Sequence, residues 1–127
     1  MRKLLLVLLP AVSFLSGCAK PAAPLTAHGQ PVAHWVEELK RPEAKARKKA
    51  VRALGHVGKA DPAALPAVVA ALKDRDAAVR QEAALALLNL GPDAADAVGA
   101  LAEAQKDADA KVRAYAARAL ERVQGAK

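Results

Sequence analysis

Cysteine and aromatic residues are almost absent from this sequence of 127 residues. It contains one cysteine, one tryptophan, one tyrosine and one phenylalanine. A single cysteine excludes a framework of disulfides within the chain, so the fold must be stable through packing alone. Because alanine supplies much of the 54% apolar content, a core must come from the close approach of helices faced with alanine and leucine. The 26% of charged residues completes a composition typical of a small globular domain.

Sequence motifs for catalysis and metal binding are also missing. None of the three histidines has a second His or Cys at ligand spacing. His34, Glu37 and Glu38 share a predicted helix face, but such a triplet is more often a solvated surface than a metal site. The sequence has no Gly-rich phosphate loop and no nucleophile motif. We therefore expect no enzyme activity and no bound cofactor.

The sequence does contain a repeat, and its period is thirty-three positions. Its best copy runs from Asp74 to Gly91, and imperfect copies lie on either side of it without a gap. A bundle of three unrelated amphipathic helices is the alternative, but a bundle requires no common period. The positions in register include Arg47, Arg80 and Arg113, then Ala50, Ala83 and Ala116, then Leu54, Leu87 and Leu120.

Each unit is predicted to form a pair of helices. Asp76 and Asp109 are placed to cap second helices, and Gly58 and Gly91 fit helix ends. The pattern predicts an all-α fold, a right-handed α-α solenoid over 31–127 with units at about 31–58, 62–91 and 92–124. The predicted first helices are 32–40, 63–73 and 94–106, and the predicted second helices are 43–57, 77–90 and 110–123.

The repeat resembles the short bacterial HEAT-like repeat, which is also known from relatives of phycobilisome lyases. The resemblance is closest in the central unit, at Asp74, Asp76, Val79, Arg80 and Gly91. In such repeats an aspartate and an arginine form a ladder between adjacent units. The first unit departs from the pattern, because Arg41 stands where the acid is expected. The resemblance implies structural roles for Arg47, Asp74, Arg80, Asp107 and Arg113.

Residues 1–17 are predicted to be an export signal. Two basic residues are followed by an apolar run from Leu4 to Leu15. As a helix this run would measure about 18 Å, which is short of the roughly 30 Å hydrocarbon core of a bilayer. The alternative to the lipoprotein signal described next is an ordinary secretory leader with a cysteine near its cleavage site.

The run ends in Leu15-Ser16-Gly17-Cys18, which resembles the lipobox of bacterial lipoproteins. This resemblance implies cleavage before Cys18 and attachment of lipid to its sulfur, and the acyl chains would hold the protein on a bilayer. Residues 18–30 then form the lipidated cysteine and a flexible tether, because Pro21, Pro24 and Gly29 interrupt any apolar periodicity.

Basic residues are concentrated in the first unit. Residues 40–59 hold eight basic residues against one acidic residue, a net charge of +7 that equals the charge of the whole chain. One interpretation is a solvated terminal repeat. The other is a contact with anionic head groups, an acidic polymer or an acidic protein. Nucleic acid is a weaker candidate, because export and the lack of interleaved aromatics disfavour it. The candidate residues are Lys45, Lys48, Lys49 and Arg52.

The second helix of the central unit is apolar almost all round. Leu85 and Leu88 occupy places that are polar or glycine in the outer units, as expected if neighbouring repeats cover the central one. Alternatively, these leucines are partly exposed on the concave face and mark a docking patch.

We predict a membrane-anchored lipoprotein on the extracytoplasmic side of a bacterial cell envelope. Its expected role is an interaction or scaffold module for another envelope protein.

Overall fold

Residues 26–125 are described by a computed structural model of the chain. Three helix pairs follow one another along the sequence, preceded by a short hairpin. The helices are α1 (Val32–Glu38), α2 (Ala44–Val57), α3 (Ala64–Ala70), α4 (Ala77–Leu90), α5 (Val98–Ala104) and α6 (Ala110–Val123), with 3₁₀ segments at Ala71–Lys73 and Gly91–Ala97. The hairpin consists of β1 (Thr26–Ala27) and β2 (Gln30–Pro31), paired antiparallel.

The helix pairs stack so that α4 lies between α2 and α6 and packs directly against both. One continuous core runs through the stack, and Leu54, Leu87 and Leu101 are among its fully buried side chains. Ala50, Ala83 and Ala116 are each completely buried at the same position of successive second helices. The predicted all-α solenoid is confirmed.

The second helices follow the predicted boundaries closely. Helices α4 and α6 begin and end where the sequence predicts, and α2 begins one residue later. The Asp76 carboxylate accepts hydrogen bonds from the amides of Ala78 and Val79, and Asp109 caps α6 in the same way. The hydrogen bond from the amide of Val112 is the main cause that lowers the pKa of the Asp109 carboxyl. Both caps satisfy amides that have no partner inside the helix.

The first helices are shorter than predicted. The third was expected from residue 94, but regular helix begins only at Val98, because Gly91–Ala97 forms a 3₁₀ segment with non-helical angles at Ala94 (φ −100°, ψ 28°). Gly91 leaves α4 with a positive φ of 57°, and Pro92 follows it directly. The chain therefore leaves the direction of α4 at Gly91, and the break at Ala94 delays regular helix to Val98.

The hairpin before α1 was not predicted, and it covers residues assigned to the tether. His28 and Gly29 form its turn, both with positive φ (51° and 76°), as a tight two-residue hairpin requires. The buried Trp35 donates a hydrogen bond of 2.9 Å from its Nε1 to the carbonyl oxygen of Ala27. The folded domain therefore reaches back to Thr26, before the boundary expected at Pro31.

An arginine and aspartate ladder joins the three units at one end of the second helices. Arg47 reaches forward to both oxygens of Asp74, at 2.9 and 3.0 Å, and Arg80 reaches Asp107 at 2.8 and 3.2 Å. Arg113 lacks an ion-pair partner in residues 26–125 and donates to the carbonyl oxygens of Asp107 and Ala108 instead. The residues implied by the resemblance thus lie together, and each step links one unit to the next.

Although Arg41 stands where the repeat pattern expects an acid, each of the three side-chain nitrogens of Arg47 still finds an acceptor. The Nη1 of Arg47 donates to the carbonyl oxygens of Arg41 and Pro42, at 2.9 and 2.7 Å. Burial raises the pKa of the Asp74 carboxyl, but the hydrogen bonds from Arg47 and from the amide of Asp76 outweigh it, and the pKa lies below its ordinary value. The pair therefore stabilises the fold above an unfolded pKa of about 3.9, and this contribution is lost as the pH falls through the lower pKa of the folded state.

Helices α2 and α4 approach closely at Gly55. A β-carbon placed on this glycine would lie 2.8 Å from the β-carbon of Ala86, and an alanine side chain cannot move aside. Replacing a glycine inside a helix by alanine normally stabilises a protein by about 0.5–1 kcal/mol. We expect Gly55→Ala to destabilise this one by roughly 1–3 kcal/mol instead, because the two helices must move apart.

Gly99 in α5 provides the matched control, because a β-carbon placed there meets no packed neighbour within 4 Å. Gly99→Ala should leave stability unchanged or raise it, as measured by urea unfolding at constant temperature. A gain in stability for both substitutions would show that the two second helices are not held as closely as described.

Candidate binding surface

Most of the basic residues in the first unit form ion pairs, which balance their positive charge. Five of the eight basic residues between positions 40 and 59 lie within 4 Å of a carboxylate, and Arg47 and Arg52 pair across to the next unit. Arg52, one of the predicted surface residues, donates to both oxygens of Glu82 at 2.9 and 3.0 Å. The net charge of the sequence segment therefore overstates the charge of the surface. The five are Lys40, Arg41, Arg47, Arg52 and Lys59.

The remaining three are Lys45, Lys48 and Lys49, which have no ion-pair partner in the described part of the chain. Their spacing places them on one face of α2. The ammonium group of Lys49 lies 5.7 Å from the ring centre of Trp35, a cation–π contact that leaves the lysine exposed. This trio keeps its positive charge in solvent.

Leu85 and Leu88 have different surroundings, although both are half-buried. Leu88 packs against the core. Leu85 lies on the outward side of α4, where it lines an open groove of about 200 Å³ together with Lys48, Gln81 and Tyr115. Of the two predicted docking residues, the structure places only Leu85 beside the lysines.

Helix α6 contributes a further row to this surface, which was not predicted from the sequence. Lys111, Tyr115 and Arg118 follow one face of α6, and they stand one repeat period after Ala78, Glu82 and Leu85. The repeat period therefore indicates this row, because one more period back leads to Lys45, Lys49 and Arg52 of α2. We call this surface the second-helix face, comprising Lys45, Lys48, Lys49 and Arg52 of α2, Ala78, Gln81, Glu82 and Leu85 of α4, and Lys111, Tyr115 and Arg118 of α6.

The opposite side of the stack, formed by the first helices, has larger and more apolar grooves. A groove of about 510 Å³ lies between α1 and α3, and one of about 570 Å³ lies between α3 and α5. Leu65, Pro66 and Val69 line the second groove. Its charged lining residues, Lys73 and Asp96, have opposite signs. The two sides of the solenoid therefore differ in charge as well as in the size of their grooves.

Two further predictions concern the membrane anchor and the absence of a metal site. The predicted export signal at 1–17 and the predicted lipid attachment site Cys18 lie outside residues 26–125. Over those described residues, no helix has the length and apolar character needed to cross a bilayer. The same residues contain no group of three His, Cys, Asp or Glu side chains placed to hold a metal ion.

Comparisons with known proteins agree with the helix-pair architecture. The family of HEAT repeats matches residues 32–121, which is most of the described chain. No curated protein matches this sequence. The crystal structure of an engineered protein superposes with a TM-score of 0.56 at 28% identity, over 72% of this chain and 44% of the engineered one. This chain therefore spans less than half of that structure.

HEAT repeats commonly mediate contacts between proteins and are generally scaffolds without enzymatic activity. The match runs through all three helix pairs, including the arginine and aspartate ladder and the second-helix face. On that coverage and on the packing described above, this chain belongs to the HEAT-repeat family.

Proposed function

We propose that this protein is a lipid-anchored HEAT-repeat module of a bacterial cell envelope that holds a protein partner on its second-helix face. The observation that carries the proposal is the combination on that face of three lysines without ion-pair partners in residues 26–125 and a half-exposed Leu85 at an open groove. An apolar side chain at a groove offers a contact for a partner, and the lysines beside it would steer and orient a partner of opposite charge.

The anchor in this proposal rests on the sequence at positions 1–18. The apolar run and the Leu15-Ser16-Gly17-Cys18 motif are those expected of a bacterial lipoprotein signal. Two or three acyl chains on Cys18 would give firm attachment. Residues 19–25 span at most about 25 Å even when extended, so the domain would be held close to the bilayer on its extracytoplasmic side.

A second candidate function follows from the same lysines and from that short distance. Lys45, Lys48 and Lys49 would lie near an anionic bilayer or cell-wall polymer, and each basic residue close to such a surface contributes about 1 kcal/mol of attraction. In this alternative the basic first repeat orients the domain on the envelope and no protein partner is needed. Because the proposed protein is exported, nucleic acid remains a weaker candidate for its ligand.

The anchor is tested by labelling growing bacterial cells that express the chain with a fatty acid. We expect the wild-type chain to incorporate the label, and we expect Cys18→Ala to lose it completely, because no other cysteine is present. Incorporation by Cys18→Ala, or none by the wild type, would refute the lipoprotein assignment.

Partner binding is tested in the same cells with a photo-crosslinking amino acid at single positions. We expect a crosslinker at Leu85 to yield a discrete protein adduct. A crosslinker at Ala102, which is half-exposed on the first-helix side of the stack, should yield none. Equal labelling from both positions, or adducts with lipid alone from Leu85, would refute a protein-binding second-helix face.

A further inference from the structure

The second-helix face has basic rows on both of its sides and little net charge in the middle. Lys45, Lys48 and Lys49 form the row on α2, and Lys111 and Arg118 form the row on α6. All five are exposed or half-exposed, and none forms an ion pair within residues 26–125. The face therefore attracts negative charge at two separate places.

The middle row, on α4, combines an apolar centre with a neutralised acid. Glu82 is 9% exposed, and both of its oxygens accept hydrogen bonds from Arg52, so this carboxylate does not repel a negative ligand strongly. Leu85 and Tyr115 border the groove of about 200 Å³ beside it. An apolar side chain entering this groove would contact both of them while charged groups on either side of it met the basic rows.

The distance between the two basic rows indicates which kind of ligand could contact both of them. Packed helices lie about 8–10 Å apart, so the rows on α2 and α6 are separated by roughly 16–20 Å. An extended peptide advances about 3.3 Å per residue, and five or six residues cover that distance. A flat anionic bilayer would contact the lysines but would leave the groove between the rows empty.

We propose that the second-helix face binds an extended acidic segment of a partner protein, in which two groups of Asp or Glu, five or six residues apart, flank an apolar residue that enters the groove at Leu85 and Tyr115. This inference rests on the proposed function, since it names the chemistry of the partner that the face would hold. The two basic rows set the spacing of the acids, and the groove selects the residue between them.

The test measures fluorescence anisotropy of a labelled peptide with the full chain in a zwitterionic detergent at low salt. The probe carries two Asp/Glu pairs separated by five residues with a central Leu. Two comparison peptides have the same charge, one with all four acids together at one end and one with Ser in place of the central Leu. We expect the probe to bind at least about 10-fold more tightly than either comparison peptide, because only the probe meets both rows and the groove.

Variants of the chain show which residues of the second-helix face account for binding of the probe. Neutralising the α2 row (K45Q, K48Q and K49Q) and neutralising the α6 row (K111Q and R118Q) should each weaken probe binding about 10-fold. Leu85→Ser should weaken it about fivefold and should abolish the preference for the peptide with Leu. The control neutralises Lys40, Lys73 and Lys106, which follow the three first helices, and should change binding less than twofold. Circular dichroism verifies that each variant is folded.

Three results would overturn the acidic-segment proposal. The first is equal affinity for the three peptides, or equal weakening by the control set, because either would indicate unspecific attraction to a basic protein. The second is binding to vesicles of phosphatidylglycerol that depends on the α2 row alone, with no peptide binding, which would indicate a bilayer contact. The third is failure of the peptides while a crosslinker at Leu85 still gives a protein adduct, in which case the proposed function stands and the acidic partner is refuted.

Discussion

Replacing Leu87 by alanine is expected to destabilise the domain by about 2–5 kcal/mol, the range found for truncating a buried leucine. Leu87 is 0% exposed, and it lies on α4, which is covered by α2 on one side and by α6 on the other. The loss combines buried apolar surface with a cavity, because a close-packed core relaxes only partly into the space left by the removed atoms. Domains of this size have total stabilities of about 5–15 kcal/mol, so the variant is expected to be only marginally folded.

Leu120 provides a control with the same chemistry at the same position of the repeat. It is half-buried on α6, the last second helix that the structure describes, so truncation removes less contact. We expect Leu120→Ala to lower stability by roughly 1 kcal/mol, in proportion to the smaller area that it buries. Urea unfolding followed by circular dichroism measures both variants. Equal and small losses at the two positions would contradict a core shared by all three units.

The sequence predicted the second helices almost to the residue, because several signals agree there. Asp76 and Asp109 cap the first turns, buried alanines and leucines repeat at helical spacing, and the repeat period reinforces each assignment. The first helices are short and carry no side-chain caps, so their limits depend on tertiary packing. This explains why the 3₁₀ segment before Val98 was mistaken for regular helix.

The net charge of the candidate surface could not be predicted from the sequence, because it depends on which charges pair in the folded chain. The ladder pairs, Arg47 with Asp74 and Arg80 with Asp107, were inferred from a resemblance that specifies them. The pair of Arg52 with Glu82 has no counterpart elsewhere in residues 26–125, and no sequence pattern indicates it. The net charge of residues 40–59 therefore predicted a stronger basic patch than the folded chain presents. The row on α6 was not predicted, although the repeat period indicates it.

Among the ladder residues outside the first unit, Arg80 is expected to contribute most to the free energy of unfolding. Its Nε and Nη2 donate to the Asp107 carboxylate, and its Nη1 donates to the carbonyl oxygen of Asp74 at 2.8 Å, so it connects the turns of two units. The Arg80 and Asp107 side chains are 17% and 12% exposed. We expect Arg80→Met, which keeps the apolar stem, to cost about 2–4 kcal/mol because it leaves a largely buried carboxylate without its cation.

Two further variants separate the causes of that loss. Arg113 occupies the same position in the third unit but donates only to carbonyl oxygens, so Arg113→Met should cost less than about 1 kcal/mol. Combining Arg80→Met with Asp107→Asn should recover part of the stability, because the neutral amide needs no cation and its oxygen can still accept from the amide of Asp109. A double variant that is no more stable than Arg80→Met would show that the buried charge is not the cause.

Hydrogen exchange distinguishes a local effect of Arg80→Met from a general one. Because each HEAT unit contacts only its neighbours, weakening the connection between the second and third units should release the third unit first. We expect the amides of α6 to lose protection by a larger factor than those of α2, whereas Arg113→Met should leave both nearly unchanged. Mass spectrometry of proteolytic fragments measures the two helices in one experiment. A uniform loss of protection along the chain would mean that the three units unfold as one, with no separable step between the second and the third.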